Sequence, residues 1–196
     1  MKKASGVSMI AALACITALA GPAYADKVTV NDLPGKFIFS SGAGGWGTEM
    51  QINDDWSFAG EYHDSEMGDT GEGYPDGSMY ISTFSGVFSE PEEINAYSLK
   101  LEKVSMVQKE KVGEEYIEDN IRYIGSDAYG MEGDDFILYL PGTPWSELTD
   151  ECHTWIRMAL NYTEPEVLPD GFYVLYNVEK DTAFTGTNDS FEIPVG

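Results

Sequence analysis

The chain has 196 residues, 34 acidic against 11 basic, and a formal charge of −23. That is enough length for one ordinary domain with its own apolar core. Charge of this sign repels nucleic acid and anionic membrane surfaces, and attracts cations.

The first residues read as a targeting segment. Lys2 and Lys3 form a positive region, an apolar stretch runs from about Val7 to Ala20, and Ala23-Tyr24-Ala25 precedes Asp26 as a small-x-small cleavage pattern. The expectation is a signal peptide over 1–25, a single domain over 26–196 and a secreted, extracellular product. The apolar stretch is too short for a bilayer-spanning helix, and no later stretch is longer. Cys15 raises the alternative of a lipid anchor, but Ala12-Leu13-Ala14 departs from a Leu-led lipobox and the apolar run continues past the cysteine. Without residues 1–25 the chain keeps 9 basic against 34 acidic residues, a charge near −25, and one cysteine, Cys152. No intramolecular disulfide is then available.

From residue 36 onwards the pattern is mostly strand. "KFIFS" (36–40) is short and apolar. "TEMQIN" (48–53) and "WSFAGEYH" (56–63) alternate with period two, which marks strands with one buried face. In the second, Trp56, Phe58, Gly60 and Tyr62 share a face. A loop is expected over 64–77, then strands over 78–89 and 94–107, a charged hairpin tip over 108–120, and strands over 121–125 and 136–140. "TPWSELTDECHTWIRMAL" (143–160) reads as one helix, with Thr143 as N-cap, Pro144 at the first helical position and an apolar stripe through Cys152. Strands over 172–179 and 182–187 close the chain as a hairpin. About nine short antiparallel strands with a single helix predict an all-β barrel or sandwich.

The stretch "LPGKFIF…GGWGTEMQINDDWSFAGEY" resembles the start of small lipocalin-like barrels: a first strand, then a hairpin of the form apolar–Asp–aromatic–Gly. That resemblance implies an antiparallel lipocalin-like β-barrel of eight to nine strands, capped or flanked by the helix, and a small apolar ligand held in the barrel. The chain also resembles secreted and surface proteins of Gram-positive anaerobes, which implies no particular activity.

The candidate sites are few. "SSGAGGWGTE" (40–49) is rich in glycine, but it lies between two strands, with no helix start and no Lys-Ser or Lys-Thr after it, so it reads as a connection rather than a phosphate cradle. Trp46 in it either covers a barrel mouth or plugs a core end. Trp46, Tyr62, His63 and Tyr74 are the expected ligand-binding residues. Asp64, Glu66, Asp69 and Glu72, among glycines, suit the flexible oxygen-rich backbone that calcium prefers, although the spacing is not an EF-hand. Cys152 and His153 are neighbours on a helix and point apart, so they are not a nucleophile–base pair. Arg122 and Arg157 are the only arginines and are expected in internal ion pairs.

The resulting expectation is a non-enzymatic secreted binding or interaction module for a small molecule, glycan or protein. Two alternatives stand beside it: a hydrolase acting on sugars through carboxylates of 61–76, and a cation-dependent structural or adhesion protein. An open aromatic cavity favours the first, facing carboxylates in a cleft the second, and a filled barrel with an ordered acidic loop the third.

Overall fold

The structure, a computed structural model, describes Thr29 and residues 32–192. The expected signal peptide lies outside the described residues. Eleven strands are present among them: β1 (Phe37–Ser40), β2 (Trp46–Ile52), β3 (Ser57–Glu66), β4 (Ser78–Phe88), β5 (Glu92–Asn95), β6 (Ser98–Gln108), β7 (Glu115–Glu118), β8 (Ile121–Gly125), β9 (Asp135–Tyr139), β10 (Phe172–Asn177) and β11 (Thr182–Thr187). Eight of them close an antiparallel barrel in the order β1-β2-β3-β4-β6-β9-β10-β11, with β11 returning to β1. Of the barrel and the sandwich that the alternation allows, the barrel is what forms. β5 sits outside it on β6, and the β7–β8 hairpin joins it through a parallel pairing of β8 with the first half of β4.

Alternation decides what fills the barrel. Phe37 and Phe39, Met50 and Ile52, Phe58, Phe84 and Phe88, Leu99 and Leu101, Phe136 and Leu138, Tyr173 and Leu175, and Phe184 all belong to one buried cluster. In so small a barrel some inward positions must stay empty for facing rings to fit. Gly60 is one: a Cβ there would lie 2.3 Å from the Glu49 carbonyl oxygen and 2.6 Å from the Phe84 ring.

A second cluster lies outside the barrel. Helix α1 (Asp150–Ile156) lays Cys152 and Ile156, and the turns flanking it lay Leu148 and Leu160, on the outward residues of β9–β11, including Tyr139, Val174, Tyr176 and Ala183. β10 is consequently buried along its whole length, on both faces.

The structure corrects several boundaries. The helix spans 150–156, not 143–160, and its N-cap is Thr149, whose hydroxyl accepts from the Cys152 N–H at 3.1 Å. Thr143 is instead a buried turn residue that donates to the Leu140 carbonyl at 2.7 Å. Pro144 pairs with Val167, and only a 3-10 turn (Trp145–Glu147) precedes the cap. Asp150 and Glu151 then fall in the first turn, where the helix dipole favours them. The expected strand 94–107 is two strands separated by a turn in which the Asn95 side chain accepts from the Tyr97 N–H at 2.8 Å. Trp56 closes the β2–β3 turn with φ of 60° rather than opening β3.

Candidate functional site at the plugged barrel mouth

The connections 41–45, 67–77, 126–134 and 178–181 gather at one end of the barrel, the mouth. The 126–134 segment crosses that mouth as a plug. Ala128 and Met131 enter the barrel cluster, 1% and 0% exposed. The plug's ends are fixed by main-chain bonds: the Ser126 N–H donates to Ile81, and the Asp134 carbonyl accepts from the Lys103 N–H.

Between those ends the plug's carbonyls are met by side chains from the barrel wall. Thr48 on β2 donates to the Tyr129 carbonyl at 2.6 Å. Lys103 on β6 donates to Met131 at 2.5 Å, and Gln108 on the same strand to Ser126 at 2.9 Å. Asn177 on β10 donates to both Gly130 and Glu132, at 2.8 and 2.7 Å. Thr48, Lys103 and Asn177 lie two residues from inward Met50, Leu101 and Leu175, so period-two alternation aims them into the barrel, whereas Gln108 faces inward opposite Phe84 because a β-bulge after Lys103 shifts the register of β6. Gly130, with φ of +87°, lets the plug pass the rings: a Cβ there would lie 2.7 Å from Phe39. One wall group is orphaned. Thr182, 4% exposed and inward-facing with Phe184, has a buried hydroxyl with no hydrogen-bond partner.

An aromatic collar rings the plug. Tyr129 packs against Phe39, Trp46 and Tyr62, with ring centroids 5.2, 5.3 and 6.3 Å apart. Trp155 leans over from α1 onto Phe39 and donates its indole N–H to the Asp181 carbonyl. Burial pushes the Tyr62 phenol up to about 12, and the charges of Asp64 and Glu132 add to that shift. Glu132 also accepts from the Gly130 N–H at 2.8 Å.

The residues singled out in the sequence divide between two places. Trp46, Tyr62 and Asp64 belong to the mouth. His63 faces outward on β3, beside the open flank that Gly47 leaves on β2. Tyr74 and Asp69 belong to a clasp around Arg122 on β8. Arg122 pairs with Asp69, donates to Ser78 at 3.1 Å, lies 3.8 Å from Glu115 and stacks over the Tyr74 ring at 4.7 Å. Glu66 and Glu72 are exposed. Among the described residues no three His, Cys, Asp or Glu side chains converge on one point. Arg157 is paired with Glu164 at 2.7 Å. Cys152 is buried, and that burial pushes its thiol up to about 12, so it stays protonated and unreactive at neutral pH. His153 is stacked on Trp145, 4.1 Å between ring centroids.

The sequence does not reveal the plug contacts of Thr48, Lys103, Gln108 and Asn177. Their one signal is a polar residue at an inward position of an alternating strand, which Thr48 shows plainly next to Met50 and which the bulge in β6 hides for Gln108. Among the described residues no helix is long and apolar enough to cross a membrane. No family model, no curated protein and no solved structure matches the chain.

Proposed function

We propose that the protein is a non-enzymatic binding module that takes a small ligand at the barrel mouth. The observation that carries this reading is the way the mouth is closed. A barrel end can be sealed by apolar side chains alone, with no main chain drawn across it that needs donors from the wall. Here Thr48, Lys103, Gln108, Asn177 and Thr182 point inward as polar groups beside Ser82, and the first four donate to the carbonyls of one segment that pairs with no strand between its ends. The collar of Trp46, Tyr62 and Tyr129 supplies the flat apolar surface that ligand sites use around a few placed polar groups.

A second reading rests on a different surface. Ile38, Trp155, Met158, Ala159 and Thr185 line a groove between the β1–β11 face and the residues after α1, with Ile38 and Met158 about two-fifths exposed, at 39% and 42%. A module acting as a filled scaffold would engage a protein partner there. Titration with the neutral dye Nile red separates the two. Mouth binding predicts saturation at one dye per chain, strengthened by Met131→Ala and unaltered by Met158→Glu. Loss of binding in Met158→Glu with no response to Met131→Ala would transfer the function to the groove.

A further inference from the structure

The mouth also indicates what kind of head group it takes, an inference that rests on the binding-module reading above. The wall presents hydrogen-bond donors: the Thr48 hydroxyl, the Lys103 ammonium and the Gln108 and Asn177 amides. What they hold are neutral carbonyl oxygens, those of Ser126, Tyr129, Gly130, Met131 and Glu132. Behind them the plug inserts only Met131 and Ala128 into the apolar cluster. Around the rim stand carboxylates. Asp64 and Glu132 act on Tyr62, and Asp134 lies 3.6 Å from the Lys103 amine. A free carboxylate would meet like charge there, in a chain already at −23.

We infer that the plug stands in for a neutral acyl ester, whose carbonyl and hydroxyl oxygens take the wall donors and whose alkyl chain takes the room left by residues 128–131, main chain and side chains together, the 126–134 segment withdrawing as a lid. Two observations beyond the donors support it. The buried Thr182 hydroxyl is without a partner while the plug is in place, so it is free for a ligand oxygen. The segment also turns at Gly130 and Gly133, both in left-handed backbone, with φ of +87° and +75°.

The probe is monododecanoylglycerol below its aggregation concentration, followed by displacement of Nile red from the intact chain, with dodecanoate and dodecanol as controls. The ester should bind roughly tenfold or more tightly than either control, the scale of one or two hydrogen bonds. Thr182→Val should weaken the ester roughly fivefold while leaving thermal stability unchanged or higher, because the hydroxyl has no partner in the closed form. A merely structural Thr182 would not separate those readouts. Met131→Ala should tighten the ester by about tenfold or more, because it disfavours the closed plug. Equal affinity for ester and dodecanoate, or an unchanged affinity in Thr182→Val, overturns the head-group assignment. In that case Nile red binding that still responds to Met131→Ala leaves the mouth as the site. Loss of both brings down the site reading as well.

Discussion

Asn177 makes two of the five side-chain bonds to the plug's carbonyls, more than any other wall residue. Its side chain is 0% exposed and uses all of its capacity: both amide hydrogens go to the plug, and the oxygen accepts from the Glu179 and Lys180 N–H groups at 3.1 and 3.2 Å. Asn177→Asp keeps the shape and removes only the donors, so it sets an acceptor against two buried carbonyls. The expected loss is roughly 2–4 kcal/mol, from two groups left unsatisfied. Chemical denaturation of the variant measures it, and a loss below about 0.5 kcal/mol would mean that water serves the carbonyls as well as the amide does. Nothing in the local sequence, "LYNVEK", marks Asn177 as different from any strand-end asparagine. Its role depends on a segment some 45 residues away, and only closure of the barrel brings the two together.

At the scale of elements, strands were legible and caps were less so. The alternation through 48–63 comes from one inward and one outward face, and the structure keeps it, whereas 172–177 is buried at every position because α1 covers its outer face. The helix was placed too early because Thr143-Pro144 imitates a start signal. Burial of Thr143 against Leu140 and Tyr97 uses its hydroxyl elsewhere, and Thr149 then caps in its place. Thr149→Ala should cost about 1 kcal/mol, the usual loss for an N-cap, whereas Thr143→Val removes one hydroxyl donor shared between the Leu140 and Tyr97 carbonyls and should leave α1 itself intact. Amide exchange at Cys152 reads the difference: faster in Thr149→Ala, unchanged in Thr143→Val. The acidic loop shows the same dependence on distant partners: Asp69 is paired with Arg122, a residue far along the chain that no spacing rule connects to it.

The whole molecule is a filled eight-stranded barrel with a helix on one flank, a strand hairpin on the other and one end closed by a polar-stitched segment. Its stability resides in the ring of interdigitated aromatics, which the plug does not interrupt. The barrel and the plug should therefore open independently. Hydrogen exchange of the intact protein at neutral pH tests that claim most directly. The account predicts that amides of 127–133 exchange at least roughly a hundredfold faster than those of β10, with the barrel protected throughout. Amides of 127–133 protected as strongly as β10 would contradict it, and would make the plug a permanent part of the core.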